Sequence, residues 1–276
     1  MIKKTLVFFF FILYTQFLVA GNSFSLALVT LKKTKKKNQD PQLFFKKRVR
    51  LFETVLKSLE NEDVDLVVFP EFSLIPSRFL YTKRMIRPFS ISLSPSNKDP
   101  YYEDLKSLAI KYKTAISYNI SEKTPGLSLY NTSFLIDQNG QRAKTYRKIN
   151  PFLRSIFKPG EKVQAPLFAN LKGQFISYMV CFDVLFSFPT KLLNQFPSKR
   201  SSKKIILSPV SSSWIRTPFE TAHTYWSGRN EGLYLAVSDN TANLWKGITH
   251  LYLNGNRKRE ENLIQTDLFL VSLYQL

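Results

Sequence analysis

Cysteine is nearly absent from this chain of 276 residues. Cys181 stands alone, which excludes an intramolecular disulfide and any multi-cysteine zinc site. Histidine is almost as scarce, with only His223 and His250, so a histidine-rich metal centre is not expected. Acidic residues are outnumbered, 20 Asp and Glu against 40 Lys and Arg, for a formal charge of +20. Such an imbalance points to an anionic partner, an anionic surface or a lysine-biased genome. It is also the footprint of nucleic-acid binding, but no recognised motif of that kind accompanies it. Internal repeats are absent too. Apolar residues are plentiful, at 44% hydrophobic and 14% aromatic, so a sizeable core forms and wholesale disorder is excluded. The length suits one large domain or two small ones.

The amino terminus has its own pattern. A short basic stretch (MIKK) precedes a nearly unbroken apolar run over 5–20 (TLVFFFFILYTQFLVA), and Val19, Ala20 and Gly21 supply small residues for cleavage. This is the form of a secretory signal, and the run is short for a span of about 20 residues. The expected organisation is a signal peptide over 1–21, or an N-terminal anchor, followed by a single domain over 22–276. The expected location is secreted or periplasmic, with membrane anchoring by the N-terminal segment as the alternative. Cys181 lies far from this region, so a lipid anchor on an N-terminal cysteine is excluded. An unpaired cysteine in an oxidising compartment must be buried, paired with another chain or used for chemistry.

The remaining chain alternates between strand and helix patterns. Strands are expected over 24–31 (FSLALVTL), 64–69 (VDLVVF), 114–120, 129–136, 141–147, 173–180 (GQFISYMV), 203–209 (KKIILSP) and 233–238, with a terminal strand region over 261–273. Helices are expected over 42–61, opened by Asp40-Pro41, and over 101–112, 188–196 and 218–231. Strand–helix alternation with a central hairpin predicts a layered α/β sandwich.

Three chemically distinct residues stand where strands end. Glu71 follows DLVVFP, Lys148 follows a strand in KTYRKINPF, and Cys181 closes ISYMV. Active groups in open α/β sheets gather at the carboxyl ends of strands. A thiol there needs activation, because only the thiolate attacks. Glu71 suits the general base and Lys148 suits the stabiliser of thiolate and oxyanion, with the backbone N–H of Phe182 completing an oxyanion hole. Such a set performs acyl transfer from an amide through a thioester. Each residue also has an ordinary reading: a buried small hydrophobe, a solvated turn acid, one lysine among many. The ordered combination at three strand ends is what favours chemistry.

The segments VVFPEF, YRKINPF and MVCFDVLF resemble the three signatures of the nitrilase superfamily, the carbon–nitrogen hydrolases. The resemblance runs from about residue 24 onward, and CFDVLFSFP looks most like the pantetheinase and biotinidase (vanin-like) branch. It implies a four-layer α-β-β-α sandwich and a Glu71–Lys148–Cys181 triad, with no metal and no organic cofactor. The stretch LYNTSFLIDQNG resembles the family hairpin before the lysine. The region 208–240, with Trp214, Glu220, His223, Arg229 and Glu231, resembles a substrate-proximal segment followed by a helix packed at a subunit interface. Two departures stand out. Many members carry a second glutamate shortly after the lysine, whereas here Glu161 is the first acid. Pantetheinase-like enzymes also carry an extra C-terminal domain, and this chain reads as a minimal version.

The resulting expectation is an exported thiol hydrolase of a linear amide. Phe182 and Trp214 are expected at the substrate, a homodimer is left open, and weak association with anionic surfaces is expected instead of nucleic-acid binding. The alternatives are an amide-forming N-acyltransferase-like enzyme and a catalytically inactive basic binding protein. His223 is read as a packed helix histidine. KKTKKK, over 32–37, is read as a solvated basic loop. The loop 72–97 is expected to shape the pocket. Asn119-Ile-Ser and Asn131-Thr-Ser match the glycosylation pattern, which is short enough to arise by chance.

Overall fold

The structure, a computed structural model, describes residues 23–32, 40–76, 82–94, 99–161, 169–186, 196, 203–211, 216–229, 232–241 and 249–276. The expected signal segment, the expected helix over 188–196 apart from Phe196, Trp214 and most of the KKTKKK loop lie outside these residues. The chain opens with β1 (Ser25–Lys32), α1 (Pro41–Lys57), β2 (Leu66–Val68), a single helical turn at Lys83–Ile86, and α2 (Pro100–Tyr112). It continues through β3 (Ala115–Lys123), β4 (Leu129–Ile136), β5 (Arg142–Arg147), β6 (Ala169–Leu171), β7 (Gln174–Tyr178) and β8 (Lys204–Val210). Then come α3 (Arg216–Arg229), β9 (Leu233–Thr241), β10 (His250–Leu253), β11 (Asn256–Arg257), β12 (Asn262–Gln265) and β13 (Phe269–Gln275).

The strands form two layers that join at one corner. One layer runs β5-β4-β3-β2-β1-β13-β12 and the other runs β6-β7-β8-β9-β10-β11. At the corner Leu31 and Lys32 of β1 pair with Asn240 and Thr241 of β9. β1 shows why the layers stack. Leu26 and Leu28 face a core shared with Ile176, Tyr178, Ile206 and Val237 of the second layer. Ala27, Val29 and Leu31 face a second core with Phe45, Phe52 and Val55 of α1 and Leu105 and Leu108 of α2. A parallel strand buried on both faces needs an unbroken apolar run, and FSLALVTL supplies one.

The helices cover the outer faces. Asp40 accepts the backbone N–H of Leu43 at 2.8 Å to start α1, with Pro41 at its first position. Asp99-Pro100 repeats the device at α2, where Asp99 accepts from Tyr101 at 3.1 Å. On the far side α3 lies against the second layer, where Trp226 donates to the Val184 carbonyl at 2.8 Å. Its Gly228 meets Gly255 so closely that an added Cβ would sit 3.2 Å from the Gly255 Cα. Gly255, at φ +75°, turns the β10–β11 hairpin there, and its N–H donates to Ser227 at 3.1 Å. The product is the expected four-layer α-β-β-α sandwich.

The local expectations need three corrections. The terminal strand region 261–273 is a hairpin of two strands, β12 and β13, turned through the Thr266 side chain, which accepts from Leu268 and Phe269 at 3.2 Å. β6, β10 and β11 escaped the sequence reading because each is only two to four residues long. β7 stops at Tyr178, so Cys181 opens a 3₁₀ turn (Cys181–Leu185) instead of closing the strand. The two glycosylation-type asparagines lie inside β3 and β4, 0% and 2% exposed, and cannot carry a glycan in the folded protein.

Phe52 stacks on Phe69 at 4.0 Å and on Tyr118 at 5.8 Å, joining α1 to β3 and to the residue after β2. Phe52→Ala is expected to cost about 3–5 kcal/mol. The denaturant midpoint reads this directly, and an unchanged midpoint would contradict the packing described.

Candidate active site

Chain direction brings the three candidate residues together. β2 runs parallel to β1 and β3, and β5 runs antiparallel to β4, which runs antiparallel to β3. β5 therefore points the same way as β2. In the other layer β7, β8 and β9 run parallel, and β9 runs parallel to β1. The carboxyl ends of β2, β5 and β7 thus share one edge, and Glu71, Lys148 and Cys181 follow those ends. Glu71 and Lys148 are each 2% exposed and Cys181 is 6% exposed.

The Lys148 ammonium donates to Glu71 Oε1 at 2.7 Å. The same oxygen accepts from Asn131 Nδ2 at 2.7 Å. The Cys181 thiol lies in the fields of both Glu71 and Lys148. Phe182, beside Cys181, stacks on Phe152 at 5.0 Å and has the Lys148 Nζ 5.9 Å from its ring centre. The structure thus places Phe182 beside Lys148 and the thiol.

The backbone at the site is unusual. Phe72 (φ 56°) and Cys181 (φ 48°), one next to Glu71 and the other the thiol itself, occupy the left-handed region that most side chains avoid. Lys148 is pinned by its main chain. Its N–H donates to the Asn131 carbonyl at 2.8 Å, and its carbonyl accepts from Gly160 at 2.8 Å. Gly160 fits because it lacks a Cβ, which would sit 2.2 Å from the Arg147 carbonyl oxygen.

Electrostatics follow from burial. Desolvation pushes the Cys181 thiol well above its ordinary range, and the Glu71 charge adds to it, while Lys148 and the backbone of Ser211 pull the other way and lose. For Lys148 burial favours loss of the proton, but the negative charge Cys181 carries whenever it ionises, the charges of Glu71 and Asp183 and the Glu71 hydrogen bond hold the ammonium above its usual value. Both shifts favour a charged lysine beside a protonated thiol.

Sequence reasoning missed several contributors. Asp183, two residues past the thiol and fully buried, accepts from Tyr146 at 2.7 Å and from Asn150 through its N–H at 2.7 Å and its side chain at 3.1 Å. Burial raises the Asp183 pKa, against the pull of Lys148, Tyr146 and Asn150. It ties the loop after Lys148 to the turn after Cys181 and adds a carboxylate to the lysine's surroundings. Its signal was present in CFD. Asn119 and Asn131 were seen only as glycosylation-type patterns, not as contributors to the site. His223 is the packed residue expected: it is fully buried, 3.0 Å from Ser208 Oγ and stacked on Tyr252.

Residues 26–192 match the family model described as carbon–nitrogen hydrolase, a span that contains all three candidate residues. The chain belongs to the carbon–nitrogen hydrolase family. Its fold is similar to Nit3 of Saccharomyces cerevisiae, a member of branch 10 of the nitrilase superfamily, with a TM-score of 0.70 at 19% identity over 91% of this chain and 89% of that one. The amidase from Nesterenkonia sp. gives 0.64 at 18% identity over 92% and 91%. In sequence, the hydrolase in the pqqF 5′ region of Pseudomonas protegens is 30% identical over 132 residues, 47% of this chain and 44% of that protein. Vanin-like protein 3 of Drosophila melanogaster is 24% identical over 184 residues, 61% of this chain and 34% of that protein. The matched stretches therefore span less than half of these two relatives' lengths.

Gly160→Ala drives a methyl group into the strand end that carries Lys148. It is expected to lower stability by about 1–3 kcal/mol, as overpacking does, and to lower the thermal midpoint accordingly. Wild-type stability in this variant would contradict the close approach.

Proposed function

We propose that this carbon–nitrogen hydrolase cleaves a linear amide through a thioester on Cys181. The observation that carries the reading is the buried convergence of Glu71, Lys148 and the only thiol in the chain, with Lys148 and Glu71 2.7 Å apart. Cys181 Sγ attacks the carbonyl carbon while its proton passes to Glu71. Because the resting thiol is neutral, attack and proton transfer belong together. Negative charge developing on the carbonyl oxygen meets the Lys148 ammonium and the backbone N–H of Phe182. Collapse breaks the C–N bond, and the departing amine takes the proton from Glu71. Water then attacks the thioester and gives a proton to Glu71. The acid leaves as the proton returns to Cys181. Phe182 and Trp214 are proposed to contact the substrate, and membership of the carbon–nitrogen hydrolase family supports a carbon–nitrogen bond as the target.

Export and loose binding to anionic surfaces belong to the same proposal. They are supported by the apolar run over 5–20 after MIKK, the +20 charge, and the exposed Lys46, Lys47, Arg50 and Lys57 of α1. Among the described residues, no helix is long and apolar enough to cross a membrane. The mature protein is expected to begin near Asn22 and to leave anionic membranes in moderate salt, where charge is screened over about 10 Å. An intact N-terminus released only by detergent would mean an anchor instead.

The catalytic reading is tested on an amide panel. Cys181→Ser is expected to fold and to lose nearly all turnover, and one alkyl adduct on Cys181 is expected to abolish activity. Lys148→Ala is expected to cost about 10²–10³ in turnover. Substantial activity after complete alkylation would overturn the thiol mechanism.

A further inference from the structure

The two asparagines that mimic glycosylation sites form a chain of hydrogen bonds that starts and ends on neighbouring residues of one loop. The Phe72 backbone N–H donates to Asn119 Oδ1 at 2.9 Å. Asn119 Nδ2 donates to Asn131 Oδ1 at 2.8 Å and to Ser133 Oγ at 3.0 Å. Asn131 Nδ2 donates to Glu71 Oε1 at 2.7 Å. A backbone N–H can only donate, so it fixes which end of the Asn119 amide faces Phe72. That end in turn fixes the Asn131 amide, which can then only donate to Glu71. The direction of the whole chain is therefore set by the main chain beside Glu71 itself.

We propose that Asn131 is a positioning residue for Glu71, held in its donating orientation by Asn119. The inference rests on Glu71 acting as the base. Two donors, Asn131 and Lys148, converge on Glu71 Oε1. A donor aimed at a carboxylate favours its charged form, and the charged form is the one able to take a proton. Among the described residues, Lys148 from the end of β5 and Cys181 from the turn after β7 are charged or titratable groups facing Glu71, with Asp183 acting through Lys148. Of the two donors, Asn131 alone carries no charge and cannot titrate. It therefore supports the anion without drawing on the lysine's charge, which is kept for the oxyanion. Asn119 and Asn131 lie on adjacent antiparallel strands at pairs Asn119↔Ser133 and Ser121↔Asn131, so the sheet register itself places them in reach.

The test needs no known substrate. The rate at which iodoacetamide alkylates Cys181 is followed against pH in the wild type and in Glu71→Gln, Asn131→Ala and Asn119→Ser, each confirmed folded by circular dichroism. The wild type is expected to lose rate below an acid limb that Glu71→Gln abolishes. In Asn131→Ala the limb is expected to move up by about 1–2 pH units, the effect of one hydrogen bond to a charged group, with rate recovering on the alkaline side. Asn119→Ser is expected to shift it the same way by less, and serves if Asn131→Ala does not fold. A limb left at the wild-type position in the folded variants, with only a lowered plateau, would overturn the positioning role. A wild-type profile with no acid limb, matched by Glu71→Gln, would overturn the base reading itself, and the relay with it.

Discussion

The buried ion pair between Lys148 and Glu71 is the constraint on which the site depends. Both side chains are withdrawn from water, and removing two charges from water costs several kcal/mol each before their attraction returns any of it. Excellent geometry and further hydrogen bonds must offset that cost. The 2.7 Å contact supplies the geometry, Asn131 supplies a second donor to the carboxylate, and Asp183 supplies a second negative charge near the ammonium. Each partner needs the other, since a buried charge left alone costs about 3–5 kcal/mol. That mutual need holds the ends of β2 and β5 in one place.

The thiol enters this frame from the other layer. β7 and the turn after it bring Cys181 to the same edge, and the left-handed backbone at Cys181 turns the chain sharply there. Tyr146, Asn150 and Asp183 then lock the lysine loop to the cysteine turn across the two layers. The sandwich is thus more than a scaffold: its central core aligns two sheets so that groups from both meet at one rim. A neutral thiol beside an ionised carboxylate is stable to burial and gives up its proton only as a new bond forms.

Much of this was legible in the sequence. The runs FSLALVTL and VDLVVF could only be strands buried on both faces, and Asp40-Pro41 announced a helix start through chemistry that the structure repeats at Asp99-Pro100. Glu71, Lys148 and Cys181 were visible because each follows a strand and because their residue types complement one another. What stayed hidden was long-range and polar. Asp183 bonds to residues 33 positions or more away, and Asn119 and Asn131 join only through the register of β3 and β4. A three-residue pattern made those asparagines look like surface sites, whereas both lie buried inside β3 and β4. Short strands such as β10 and β11 carry too few residues to show a period of two, so only their pairing reveals them.

The central claim is that Cys181 rests as a thiol within a charged Glu71–Lys148 pair. The most direct measurement is the ultraviolet thiolate absorbance of the folded protein against pH, taken as the difference from Cys181→Ser so that tyrosine ionisation cancels. The chain has one cysteine, so any step belongs to it. A thiol raised by burial predicts no thiolate signal through neutral and mildly alkaline pH. A full thiolate signal already present at neutral pH, and lost in Cys181→Ser, would contradict a neutral resting nucleophile and with it the coupled proton transfer to Glu71.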